Sequence, residues 1–233
     1  MLWKFNITTI TLVSILYGNI AYGQQETKLI IGAHGAPAGS TVCGDSKQRK
    51  EYGFKFKPIQ GFIVGVEMQY AVKPKLYLSL EVNYERKGYA QDVDILDQNN
   101  NLPIANTTVM INKNYNTIPI IAKFILSDKK IKIFINTGIY AGYFITYSWS
   151  LLPVENYKGE KGSGRPNAKF LNLLDFGLVT GLGWDFPIKE HFKFSTEIRN
   201  NLGITGTAKG ETLLSSKIRN ESIALLFGIG YKI

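Results

Sequence analysis

The chain has 233 residues, of which 45% are hydrophobic and 19% charged, with a formal net charge of +9. This excludes a disordered chain and leaves room for one barrel-sized domain or two small ones. Glycine (23), tyrosine (13) and phenylalanine (13) are abundant, which favours an all-β protein.

The first residues carry one basic residue, Lys4, then an apolar stretch from Ile7 to Tyr17, then small residues at Ala21 and Gly23. This order predicts a signal peptide over residues 1–23, cleaved to leave a mature domain of residues 24–233. No cysteine stands just after the cleavage point, so a lipid anchor is not expected. An exported chain with Cys43 as its one cysteine has no internal disulfide, so closure of the fold must hold it together. Export also turns the net positive charge away from nucleic acid and towards solvated loops and anionic lipid headgroups.

Beyond Gly23 no run approaches the ~18 apolar residues of a spanning helix. Alternation with a period of two recurs instead. The first predicted strand begins at Lys28 (KLIIGAHGA). In the second, Phe62, Val64, Val66, Met68, Tyr70 and Val72 oppose Gly61, Gly65, Glu67, Gln69 and Ala71. In the third, Leu76, Leu78, Leu80, Val82 and Tyr84 oppose Tyr77, Ser79, Glu81, Asn83 and Glu85. The fourth, YNTIPIIAKFIL, contains Pro119, where the missing N–H predicts a bulge or bend. The fifth puts Ile131, Ile133, Ile135, Ile139, Tyr143, Ile145 and Tyr147 on one side. In the sixth, Leu174, Phe176, Leu178, Leu182, Trp184 and Phe186 oppose Asp175, Gly177, Gly181, Gly183 and Asp185. In the seventh, Phe192, Phe194, Ile198 and Leu202 oppose Lys193, Ser195, Glu197, Arg199 and Asn201. The eighth is the terminal SIALLFGIGYKI, with Ile223, Leu225, Phe227, Ile229 and Tyr231 on one face.

The links alternate in length. KPK, SDKK and PIKEH are short, whereas the stretches 37–57, 90–113, 150–172 and 205–220 read as long polar loops. An up-and-down meander with that asymmetry collects its long loops at one end, as outer-membrane barrels do. The small and charged face is poor material for a soluble core. Turned inward in a closed barrel, its charges can pair, and the aliphatic face then meets lipid. The chain is therefore predicted to be an all-β, eight-stranded antiparallel up-and-down transmembrane β-barrel in the outer membrane of a Gram-negative cell. The expected interior polar network is Glu67, Glu81, Glu85, Lys123, Asp175, Lys193, Glu197 and Arg199, with Glu81 and Arg199 as partners. The expected aromatic girdles include Tyr84, Tyr143, Tyr147 and Trp149 at the long-loop end and Trp184, Phe186 and Tyr231 at the short-turn end.

Four stretches carry a family resemblance: LSLEVNYERKGY (78–89), NYNTIPIIAKF (114–124), NTGIYAGYFI (136–145) and DFGLVTGLGWDF (175–186). EIRNNLGIT (197–205) fits the corresponding seventh strand. Their order and spacing resemble the PorT-like outer-membrane β-barrel family of Bacteroidetes, related in shape to the small OmpA/OmpX-type barrels. The resemblance implies an integral outer-membrane protein, with outer-membrane lipid and other envelope or secretion proteins as partners. It implies little about activity.

The chemistry-bearing motifs are sparse. GLVTGLG lies within a strand and lacks the lysine and the helix of a phosphate loop. His34, at the top of the first strand, and His191, in a short turn, form no ligand pattern with cysteine, so no metal or other cofactor is expected. Cys43 reads as a loop thiol. An eight-stranded barrel is filled by its own side chains and makes a poor pore. The expected role is non-enzymatic: structural, adhesive or interacting with the envelope through the long loops. An accessory role in protein secretion and a rim-sited enzyme acting on lipid or peptide are the alternatives.

Overall fold

The computed structural model describes residues 29–44, 55–96, 103–127, 130–154, 158–209 and 218–233. The proposed signal peptide and its cleavage point lie outside these residues. The strands are β1 (Leu29–Cys43), β2 (Phe56–Lys57), β3 (Ile59–Lys73), β4 (Leu76–Leu96), β5 (Pro103–Ile125), β6 (Lys132–Leu151), β7 (Glu160–Gly164), β8 (Leu174–Pro187), β9 (Phe192–Gly203) and β10 (Arg219–Lys232). Each of the eight long strands pairs antiparallel with two neighbours. The sheet runs β4-β3-β1-β10-β9-β8-β6-β5, and β5 returns to β4, so the ring closes. The two short strands sit outside it, β2 on β4 and β7 on β6. Closure leaves no open edge in the ring, which hydrocarbon requires.

Alternation sets the faces. Val64, Val66, Leu80, Val82, Ile139, Ile198, Ile223 and Ile229 are exposed, whereas Glu67, Glu81, Glu85, Glu197 and Arg199 are buried. On β4 the row of Leu76, Leu78, Leu80, Val82 and Tyr84 continues as Arg86, Gly88, Ala90, Asp92 and Asp94, of which Gly88 and Ala90 are buried and the two aspartates exposed. The apolar band therefore ends near Tyr84, and the hairpin of β4 and β5 projects past it into water. The band spans about ten residues, the length a tilted strand needs to cross a bilayer. Tyr84 and Phe62 meet at its long-loop limit, with ring centroids 5.9 Å apart and the Arg86 guanidinium 5.0 Å over Phe62. At the short-turn end Phe192 lies edge-on to Tyr231 at 5.1 Å, and Phe186 is 6.0 Å from Phe194.

The structure corrects four expectations. First, most of the residues expected in the 90–113 loop are strand, because β4 continues to Leu96 and β5 begins at Pro103. The polar character of that stretch reflects water on the outward side of a projecting ladder. Second, β1 continues past Pro37 to Cys43. His34 therefore lies midway along its strand, not at the top, and Cys43 ends a strand instead of floating in a loop. Third, Pro119 causes no register shift. The β4–β5 ladder lapses between Leu80–Ile120 and Asn83–Thr117 and resumes in the same register. Pro37 does the same on β1, where pairing with β10 skips from Gly35 to Ala38. A missing donor removes one bond without requiring an extra residue.

The fourth correction concerns the outer girdle. Pairing of β5 with β6 shifts between Asn114–Thr146 and Tyr115–Phe144, leaving Ile145 as the additional residue. Such a bulge changes the facing of everything beyond it. Tyr143 stays on the outward row, but Tyr147 pairs with Lys113 and Trp149 with Ile111 on the inward side. Tyr147 and Trp149 thus leave the lipid-facing row that simple alternation gives them.

Interior glycines make room for large neighbours. A Cβ on Gly177 would enter the Tyr140 ring, and one on Gly181 the Glu197 carboxylate. The narrow lumen can hold long polar side chains on some strands only because adjacent strands present none.

Candidate functional site

The lumen is the chemically distinctive region. Buried side chains from all eight long strands converge there in three tiers. At the short-turn end, Asp185 on β8 receives Lys123 of β5 at 2.8 Å and Lys193 of β9 at 3.5 Å. The Lys123 ammonium also lies 3.6 Å over the Phe134 ring. Lys193 donates to Gln69 Oε1 at 2.7 Å, and Gln69 donates to Glu67 Oε2 at 2.7 Å. These links lead into the middle tier.

Arg199 is the hub of the middle tier. Its Nη1 and Nη2 donate to the two oxygens of Glu81 at 2.7 and 2.9 Å. Its Nε donates to Glu197 Oε1 at 2.7 Å. The planar fork of arginine suits this two-oxygen grip, which lysine cannot reproduce. Asn136 adds a bond to Glu197 Oε2 at 2.9 Å. Asn83 bridges the other side, donating to Glu81 at 3.0 Å and meeting His34 Nε2 at 2.9 Å.

In the upper tier Lys87 lies 3.3 Å from both Glu85 and Asp175. The Tyr140 hydroxyl and Asn220 also reach Asp175, at 3.2 and 3.1 Å. Asn201 and Ser222 hold Glu85 at 3.1 and 2.9 Å. Above them Lys113 faces the Tyr89 ring at 5.4 Å.

All eight residues named from the sequence as the interior network are buried in this lumen. The alternation reading omitted Lys87, the most buried of the bases, although it lies two residues beyond Glu85 on the same face. His34, Asn83 and Asp185 belong to the network as well. Alternation already put Asn83 and Asp185 on the inward faces of their strands, but their partners, like the role of His34, come from neighbouring strands.

The network occupies the lumen largely with paired groups, as the cost of burying an unpartnered charge requires. The space outside the lipid band is organised differently. β2, β4, β5, β6 and β7 continue as a small sheet beyond the barrel wall. Lys57 of β2 is tied to Asp92 of β4 at 2.8 Å, and Thr108 of β5 donates to the same carboxylate at 2.8 Å. These bonds hold the Asp92 carboxyl below the usual carboxylate range.

The model of the outer membrane protein beta-barrel domain matches residues 22–209. The chain belongs to that family. It is an outer-membrane protein, of a class whose short turns face the periplasm. The family match covers the barrel through β9. Among curated proteins none matches the sequence. Among solved structures the chain is similar to Ail, the attachment invasion locus protein of Yersinia pestis, at 14% identity and a TM-score of 0.43, over 90% of this chain and 100% of that one. It is similar to Escherichia coli outer membrane protein W at 11% identity and a TM-score of 0.44, over 91% and 100%. It is also similar to the E. coli outer membrane protease OmpT at 9% identity and a TM-score of 0.44, over 90% and 98%.

Proposed function

We propose that this family member is a non-enzymatic barrel that works through the sheet and loops it projects outside the cell, in an adhesive, structural or envelope-interacting role. We also assign it to the PorT-like branch of Bacteroidetes barrels and propose export through a leader at residues 1–23. The observation that carries the functional reading is the filled lumen, since Arg199, Lys87 and the Lys123–Asp185 pair occupy the space a channel would need. What remains available to partners is the part beyond the lipid band. Among the described residues, neither histidine stands at the outer rim. His34 is buried mid-barrel and His191 lies in the β8–β9 turn. That argues against a rim-sited hydrolase built on histidine.

The test is complementation of a deletion strain. A chain whose β4–β5 hairpin is cut back to Gly88 and Asn112 and closed with a short turn should still insert, yet fail to restore surface attachment or envelope integrity. Full complementation by the shortened chain would show that the projecting sheet is not the working part. If the strain instead accumulates secreted cargo in its periplasm, and either chain relieves this, the secretion role replaces the one proposed.

A further inference from the structure

The middle tier contains a feature that its hydrogen bonds do not account for. Glu67 and Glu81 stand directly opposite each other on β3 and β4. Two like charges at facing positions are destabilising, and both residues are nine-tenths buried or more. Arg199 answers Glu81 and Glu197 together, whereas Glu67 has no ion pair among the described residues. Three carboxylates facing one guanidinium leave two negative charges in this tier. His34 enters the same space from β1 with its Nε2 3.7 Å from Glu81 Oε2.

We propose that His34, Glu67 and Glu81 form a binding site for a divalent first-row transition ion inside the barrel wall. One ligand atom from each lies within 4.8 Å of the others. At metal–ligand distances near 2.0–2.2 Å a tetrahedral ion holds its ligand atoms about 3.4 Å apart, so side-chain rotations that bring the widest pair together by somewhat over about 1 Å complete the triad. One imidazole with two carboxylates suits zinc, iron or manganese better than calcium, which prefers oxygen alone. The positive charge of the ion offsets the excess of negative charge in this tier, which the second lysine on Asp185 answers only in part from the tier below. Coordination through Nε2 requires the imidazole proton to sit on Nδ1, and the ion then takes over the bridge that Asn83 now makes between His34 and Glu81.

Two surroundings are built to suit. At Gly32, opposite Glu67 on β1, a Cβ would stand 2.9 Å from Glu67 Oε1 and 2.8 Å from the Ile229 carbonyl oxygen. Only glycine leaves that carboxylate its place. Two register positions nearer the short turns, at the next inward-facing pair, Ser79 Oγ is buried with no hydrogen-bond partner among the described residues. A hydroxyl so placed is available to a water bound on the ion, the outer-shell role that orients metal sites. The ligands come from three different strands, so the site forms as the barrel folds.

The experiment is refolding of the mature chain into detergent micelles with zinc(II), followed by passage over a chelating resin and metal analysis of the folded, heat-modifiable fraction. The expected result is about one zinc per folded barrel, with affinity reduced at least the ten- to hundredfold that losing even an outer-shell partner costs in both H34Q and E67Q. H191Q, which alters the other histidine, should bind as the wild type does. X-ray absorption of the loaded wild type should show nitrogen and oxygen ligands including one imidazole, a readout that survives if a variant fails to fold. Folded wild type without stoichiometric zinc would overturn the proposal and leave a shared proton as the neutralising charge. Retention of zinc by both variants, or sulfur in the absorption spectrum, would overturn it by placing the metal elsewhere.

Discussion

Arg199 sits between two carboxylates with no water-facing side, so its value to the fold depends on both partners being present. Removing one member of such a pair strands the other charge in a medium that cannot solvate it. Replacing Arg199 with methionine, or Glu81 with glutamine, should cost about 3–5 kcal/mol of unfolding free energy, measured by denaturant titration of the refolded barrel. The double variant should be less damaged than the two single losses added together, because it leaves less unpaired charge behind. A cycle in which the two effects simply add would mean that Glu81 and Arg199 do not act as a pair. Lys87 repeats the arrangement one tier up, with the Tyr140 ring 4.3 Å from its ammonium and a glycine, Gly177, clearing the space that ring needs.

The elements divide at the limit of the lipid band. Below it, strands are fixed by pairing on both sides and by the lumen. Above it, the hairpin of β4 and β5 is joined by the upper part of β6 and by the short strands β2 and β7, and β2 holds on through two residues and the Lys57–Asp92–Thr108 contact. Because the folded state lowers the Asp92 pKa, it favours the ionised carboxylate. The contact contributes fully above the carboxyl's unfolded value and is lost as pH falls through the lowered one. Acidification below about pH 4, where aspartate begins to protonate, should therefore raise amide exchange in β2, after correction for intrinsic rates. The membrane-embedded strands should stay protected over the same interval, and D92N should show the faster exchange already at neutral pH. The division also explains what could be read from the chain alone. The eight spanning strands and their facing were legible because lipid outside and charge inside impose a strict period of two on segments such as 62–72 and 174–186. The projecting hairpin was not, since water on its outward side removes that contrast and leaves residues such as Asp92 and Asn112 looking like loop. The Ile145 bulge was invisible for a different reason. One added residue between Phe144 and Thr146 leaves composition unchanged while reversing Tyr147 and Trp149. The His34, Glu67 and Glu81 grouping was equally hidden, because cross-strand register, not spacing along the chain, brings it together.

At the scale of the whole molecule, closure converts eight marginal segments into one cooperative object. A barrel that resists detergent should migrate faster in an unboiled gel sample than after boiling, and mass measurement of that same species should begin at Gln24 if the leader is removed as proposed. Identical migration before and after heating would mean that the ring does not persist outside the membrane. The lumen supports the same cooperativity, since its tiers draw on strands far apart in sequence. Lys193 reaches Gln69, and Arg199 reaches Glu81, across the inside of the ring. Loss of one strand therefore breaks bonds on the opposite wall.

Closure is completed by the pairing of β1 with β10, where the Ile233 N–H donates to the Leu29 carbonyl at 2.9 Å. Every other join in the ring is a hairpin between neighbours in the chain or a step across a short outer strand. The order in which the eight staves are written in the gene is thus a choice of where to cut a circle. A chain cut instead at the Pro74–Lys75 turn, with Ile233 joined to Leu29 across the gap that one hydrogen bond now spans, would describe the same cylinder.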